Sequence, residues 1–381
     1  MELNCSTAAS LGCPPCPTAE EQEGYISFLD YAGYAQSVLC IFGVLGNAFA
    51  ICILTRKNML NNFNKLIIAL SLFDTTYLLV SLVYIFTNGT EAQDLMYPYF
   101  LGPGALFASR ASIFMTVAIA CQRFLAVRHP FKYGRNNRRY VKIYMASVFA
   151  LALVTAIPTF FEYTVKYANF QEDDDNATNE TVPYLSPTSM KESIGYKVYE
   201  TFGDLVIFGI IPFALLIYFY NGIYKEIKAS NSRTGGLASN ASEGNKKKEE
   251  TLAKTFTAFV LSFFICYTPQ HIYRIYQIIL LKQTTRCSEL PFPVSEGYAL
   301  EITQMLIVLN SAINVVIYSA VNHQFRNECK EIIRRLIPSS TQQGGVQGLS
   351  SGGMTTVGQS NDPVTKTTDA ESIQMSHKNM S

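Results

Sequence analysis

Seven stretches of this chain are long enough and apolar enough to cross a bilayer, whose core takes about 20 apolar residues in helical form. Ala32–Thr55, Ile143–Phe161 and Ile302–Asn322 contain no charged residue. Leu66–Thr87 contains only Asp74, Pro98–Gln122 only Arg110, Phe202–Tyr224 only Asp204, and Thr255–Leu281 only Arg274. One such stretch reads as a buried helix of a soluble protein, but seven in series do not. The strict in–out alternation of a membrane β-barrel is absent. Charged residues make up 15% of the chain, against roughly 25% in soluble domains. The expected fold is an all-α membrane protein: a seven-transmembrane helix bundle with a short amphipathic membrane-surface helix. The predicted segments are a tail over 1–31, the bundle over 32–322, the surface helix over 323–337 and a disordered cytoplasmic tail over 338–381.

Lys and Arg in the short loops set the orientation. Arg56, Lys57 and Lys65 follow the first span, and Arg123, Arg128, Lys132, Arg135, Arg138, Arg139 and Lys142 follow the third, without a single acid. The other side is acidic, with Glu2, Glu20, Glu21, Glu23 and Asp30 in the tail and Glu172 with Asp173–Asp175 after span four. The N-terminus is therefore expected outside and the C-terminus inside, in a multi-pass protein of the plasma membrane. Glycosylation sequons at Asn4, Asn88, Asn176 and Asn179 fall on the outer face. So do Cys5, Cys13, Cys16 and Cys287, which an oxidising exterior favours as disulfides. A net charge of +1 does not point to a nucleic-acid partner.

Ionisable and polar residues within spans are costly and mark functional positions by default. Asp74 in span two, Asn47 in span one, Ser112 in span three, and Asn310, Ser311 and Asn314 in span seven are candidates for one convergent site. A carboxylate with hydroxyl and amide oxygens suits a small hard cation such as sodium. The same set also reads as hydrogen bonding that holds helices together. Arg110 and Asp204 form a second candidate set, either as a structural salt bridge or as contacts to a charged ligand. Gln270, His271 and Arg274 on span six, and Glu301 and Gln304 on span seven, lie near the outer ends and are candidates to line a cavity there.

The order of short motifs carries a family resemblance. Gly46-Asn47, Asp74 in Leu-x-x-x-Asp, Cys121-Gln122-Arg123, Pro158, Pro212 with Tyr220, Cys266-Tyr267-Thr268-Pro269, Asn314-Val315-Val316-Ile317-Tyr318 and Phe325-Arg326 follow one another along the chain. The set resembles the rhodopsin-like (class A) G-protein-coupled receptors over Ala32 to Leu336. The resemblance implies that Arg123 meets a heterotrimeric G protein at the inner face. It implies that Tyr220, Tyr267, Pro269 and Tyr318 take part in activation, and that Asp74, Ser112, Asn310, Ser311 and Asn314 hold a sodium ion, with no other cofactor. It also implies receptor kinases and arrestin as partners of the tail, and membrane lipid around the bundle. The chain departs from the pattern at Gln122, which replaces an acid, and at Tyr267, which replaces a Trp. Val315 replaces the Pro of span seven, which puts the usual bend there in question. No Cys lies in Asp94–Gly104 or Glu162–Glu200, so the family's usual outer disulfide is ruled out. A link from the tail to the third outer loop through Cys287 remains open.

Span seven holds no Lys to form a retinal Schiff base, and span three offers no acid near Ala105 for an amine. A peptide is the best remaining ligand class. Tyr97-Pro98, Ala111-Ser112-Ile113-Phe114 and the stretch Arg123 to Lys132 are similar to invertebrate FMRFamide-type neuropeptide receptors. The Arg of such a peptide needs a carboxylate, for which Asp204, Glu200 and Glu301 are candidates. The alternative is a seven-helix receptor for a lipid or small molecule, and further off a transporter, although no internal repeat is visible. The chain is not expected to be an enzyme, because His129, His271, His323 and His377 are too dispersed for a metal centre.

Overall fold

The computed structural model describes residues 16–170, 180–233, 257–279 and 294–336. Ala19–Leu54, Asn62–Phe86, Glu91–Arg128, Arg138–Phe161 and Ile194–Glu226 are each long and apolar enough to cross a membrane. They correspond to spans one to five. A helix over residues 257–279 stands where span six was expected. Val294–Ala312 and Asn314–Val321 make up span seven as a bent pair. The described residues up to Ile333 belong to one compact unit. Its spans are apolar on both sides. Tyr77, Met115, Phe263 and Tyr318 are buried, while Val38, Leu45, Leu72, Phe149, Val154 and Ile265 face outward and exposed. A helix that is apolar all round belongs in a protein core or in hydrocarbon.

Three features add to the expectations. The helix that carries span one begins at Ala19, well before the uncharged stretch that starts at Ala32. Thr18 caps it: the Glu21 amide donates to the Thr18 hydroxyl at 3.2 Å, and the Thr18 amide donates to the Glu21 carboxylate at 2.8 Å. This reciprocal box satisfies two donors at the helix start. The added turns hold Tyr25 and Phe28 against Tyr298 at the start of span seven, with ring centroids 5.2 and 4.7 Å apart.

The second is an addition, a β-hairpin beside the helices of the described residues. Strand β1 (Tyr163–Phe170) pairs antiparallel with β2 (Glu180–Pro187), with Val165 opposite Leu185 and Tyr163 opposite Pro187. It joins spans four and five. Thr188 closes its base, the hydroxyl donating to the Phe161 carbonyl at 2.6 Å and the amide to the Glu162 carbonyl at 2.9 Å.

The third is the bend in span seven, which persists with Val315 in place of Pro. The two helical pieces meet at 45°. At the break the Val316 amide reaches back only three residues, to the Ile313 carbonyl at 2.9 Å. The Asn314 side chain there points into the bundle and bonds Asp74. After span seven, Asn322 leaves the helix in an extended conformation and caps a new one, accepting from the Phe325 amide at 3.1 Å. That helix, His323–Leu336, is the amphipathic segment read from the sequence. Phe325 is fully buried, Ile333 is exposed, and Glu328 pairs with Arg56 at 3.2 Å.

Spans one and seven touch through glycine. A methyl group on Gly43 would fall 2.8 Å from the Ala312 Cβ and 2.9 Å from its Cα, and one on Gly46 would fall 2.6 Å from a Val315 methyl. Backbone cannot rotate out of the way as a long side chain does. Gly43→Ala is therefore expected to destabilise the purified protein by about 1–3 kcal/mol. Gly195→Ala, where nothing lies within 4 Å, is expected to leave melting unchanged or raise it. Thermal unfolding of the two variants beside the parent checks this.

Candidate functional site

The centre of the bundle is built on Asp74, which is fully buried. One carboxylate oxygen accepts from the Ser112 hydroxyl at 2.7 Å, and the other from the Asn314 side-chain amide at 2.6 Å. Spans two, three and seven are thus joined through one side chain. Span one enters through Asn47, whose amide donates to the Ser311 carbonyl at 2.9 Å. Asn310 and Ser311 are buried as well. The Asn47 Oδ1 and the Ser71 Oγ are buried without a hydrogen-bond partner among the described residues. Ser71 lies one turn before Asp74 on the same face and was missed in the sequence; the i, i+3 spacing is its signal. One carboxylate, hydroxyls and an unsatisfied amide oxygen form a hard-oxygen set, so these residues fit a small monovalent cation.

Toward the end opposite the hairpin lies Arg123, preceded in the chain by Gln122 rather than by an acid. Gln122 is buried in that place, and the Arg123 guanidinium lies over the Phe63 ring, 3.1 Å from its centroid. A ring face attracts a guanidinium. Tyr318 is buried between Phe259 and Phe325, with centroids 5.1 and 5.7 Å away. Tyr220 packs half-buried in the second core cluster, with Phe124 and Phe263. Tyr267, at the position where the family has Trp, is buried against Phe263 at 4.5 Å. Pro269 lies in the same helix, two residues on, and withholds one amide from the ladder.

At the hairpin end, Asp204 opens a π-helical turn, Asp204–Ile210, within span five. Such turns shift the side chains that follow and recur at functional sites. Asp204 pairs with two cations at once, Arg110 of span three at 3.1 Å and Arg274 of span six at 3.3 Å. Arg110 also donates to the Thr155 carbonyl of span four and lies 4.5 Å over the Phe208 ring. Arg274 donates to Gln277 at 3.1 Å. His271 lies against Gly209, where a methyl group would fall 2.9 Å from the imidazole. A cavity of about 60 Å³ opens beside this cluster, lined by Arg110, Glu162, Tyr196, Glu200, Asp204 and Arg274. A second pocket, lined by Arg110, Tyr267, Gln270, His271 and Arg274, continues from it.

The structure therefore brings together Arg110, Asp204, Gln270, His271 and Arg274. Glu301 instead accepts from Gln36 of span one at 3.2 Å, and Gln304 lines neither pocket. Glu162, Lys191 and Tyr196 were missed, because their roles depend on how the hairpin folds back. Cys16 is disulfide-bonded, while Cys5, Cys13 and Cys287 lie outside the described residues. Among the sequons, Asn88 stands exposed on a turn, and Asn4, Asn176 and Asn179 lie outside the described residues.

Residues 46–318 match the model of the 7 transmembrane receptor (rhodopsin family). The chain belongs to that family, whose members are G-protein-coupled signalling receptors and not enzymes. Among its relatives are the FMRFamide receptor of Drosophila melanogaster, 26% identical over 77% of this chain and 52% of that protein. The melatonin receptor type 1C of Xenopus laevis is 24% identical over 92% of this chain and 80% of its own length. The neuromedin-U receptor 2 of Rattus norvegicus is 22% identical over 78% and 74%. The chain spans about half the length of the Drosophila protein.

Asp204 holds two guanidinium groups and Arg274 only one carboxylate. Asp204→Asn is expected to destabilise the purified receptor by about 3 kcal/mol, since it strands two partly buried cations. Arg274→Gln, which leaves the Arg110–Asp204 pair in place, is expected to cost less. Melting curves of both variants beside the parent test the order.

Proposed function

We propose that this receptor binds a basic neuropeptide at the hairpin end, outside the cell, and activates a heterotrimeric G protein at the Arg123 end, inside. The cavity at this end of the bundle carries this reading. Its lining of opposed charges from spans three, five and six suits a peptide's carbonyls and charged side chains better than a lipid chain. The names of the Drosophila and rat relatives, both receptors for peptides, support the same class. An RFamide-like ligand is the first to try.

The ligand's Arg is not expected at Asp204, because the two guanidiniums that share this carboxylate would repel a third. The Arg110–Asp204–Arg274 cluster carries one excess positive charge and instead suits an acceptor, such as a peptide carbonyl. An acceptor that draws Arg274 away from Asp204 releases span six from spans three and five. Pro269 then lets that helix bend, because the ladder is already interrupted there. At the far end, the Phe259–Tyr318 contact opens and uncovers Arg123 for the G protein. A sodium ion held by Asp74, Ser112, Ser311 and Asn314, with Asn310 buried nearby, supplies positive charge at the buried carboxylate. Plasma-membrane location, glycosylation at Asn88, and receptor kinases and arrestin acting on the tail complete the proposal.

Second-messenger output from cells expressing the receptor, exposed to a panel of amidated peptides that includes Phe-Met-Arg-Phe-amide, tests this. The expected result is a concentration-dependent response that falls at least tenfold in Arg123→Ala at equal surface amount. Silence across the panel, with the receptor at the surface, contradicts the peptide assignment.

A further inference from the structure

The hairpin has no disulfide to span three, because neither Asp94–Gly104 nor Glu162–Glu200 contains Cys. Beside the Thr188 bonds, an ammonium ties the two stems of its base together. The Lys191 Nζ lies 2.9 Å from Glu162 Oε2 and 2.9 Å from both Glu200 oxygens. The Tyr196 hydroxyl donates to the other Glu162 oxygen at 2.9 Å. The rings of Tyr163 and Tyr196 flank the ammonium, 5.7 and 5.8 Å away. Burial pulls the Lys191 pKa down, but Glu200 and Glu162 outweigh it and hold the amine above its ordinary value, fully charged.

These carboxylates also line the cavity that holds Arg110, Asp204 and Arg274. The cavity therefore has two poles. Two guanidiniums share one carboxylate at one of them, leaving a charge of one positive. Two carboxylates share one ammonium at the other, leaving a charge of one negative. A ligand carrying both an acceptor group and a basic side chain matches this pair of poles.

We infer that Glu162 and Glu200 form the subsite for the basic side chain of the ligand, and that Lys191 is a tethered cation which that side chain displaces. This inference rests on the peptide reading. Lys191 shows that a cation fits between both carboxylates, flanked by aromatic faces. A guanidinium binds such a seat better than an ammonium, because its planar fork engages a carboxylate with two parallel bonds. Displacing Lys191 removes one tie across the hairpin base, while the Thr188 bonds to Phe161 and Glu162 remain.

The test uses N-acetyl-argininamide as the probe and its neutral counterpart N-acetyl-citrullinamide as the control, each titrated against the melting of purified receptor in lipid nanodiscs. Lys191→Met is expected to bind the arginine probe about tenfold more tightly than the parent, because the internal competitor is gone. Lys191→Arg is expected to behave like the parent. Adding Glu162→Gln and Glu200→Gln to Lys191→Met is expected to abolish the effect, and the citrulline probe to have none. Unchanged affinity in folded Lys191→Met overturns the inference, as does equal binding when both glutamates are replaced. Lys191→Gln serves as the second variant, and failure of both to fold shows the bridge to be purely structural and overturns it too. A receptor silent to amidated peptides leaves this titration readable, so the two failures are distinct.

Discussion

A carboxylate with no access to water holds the bundle together. Asp74 accepts from span three through Ser112 and from span seven through Asn314. A buried charge of this kind is tolerated only where its hydrogen bonds are made. The helices that supply those bonds are therefore constrained in position and rotation. The bend in span seven delivers Asn314 to the carboxylate, and the glycines of span one let span seven approach closely enough for it. Moving any one of the three spans strains the other two.

Two switchable ends sit on either side of this centre. At the hairpin end, ion pairs do the holding: Asp204 between two guanidiniums, and Lys191 between two glutamates. At the opposite end, the contacts are rings: Arg123 over Phe63, and Tyr318 between Phe259 and Phe325. Ion pairs respond to a charged ligand, and ring contacts separate when helices tilt. Span six belongs to both ends, through Arg274 and Phe259, with Tyr267 and Pro269 between them. It is the natural carrier of a change from one end to the other.

Much of this was legible before any coordinates. Spans announce themselves because a bilayer demands length and apolarity, which survive in the sequence without packing information. Asp74, Ser112 and Asn314 were legible for the converse reason, as polar groups where none belongs unless paired. Arg110 and Asp204 were legible as one opposed pair, but Arg274 as the second partner of Asp204 was not. That depends on the rotation of the helix over residues 257–279, which short apolar stretches do not specify. Glu301 read as a cavity residue and turned to Gln36 instead, a difference of which neighbour its helix face meets. The hairpin and Lys191 were hidden most deeply. Their roles come from a loop folding back, and the missing cysteines hinted only that something else had to hold it.

The Asp74 carboxylate holds spans two, three and seven in the resting arrangement, and G-protein nucleotide exchange by the reconstituted receptor tests this most directly. Basal exchange would be measured in sodium and in potassium buffers, for the parent and for Asp74→Asn. The account predicts lower basal exchange in sodium for the parent, and no difference between the two buffers for the variant. Equal exchange in both buffers for the parent, or a sodium effect that survives in Asp74→Asn, would contradict it.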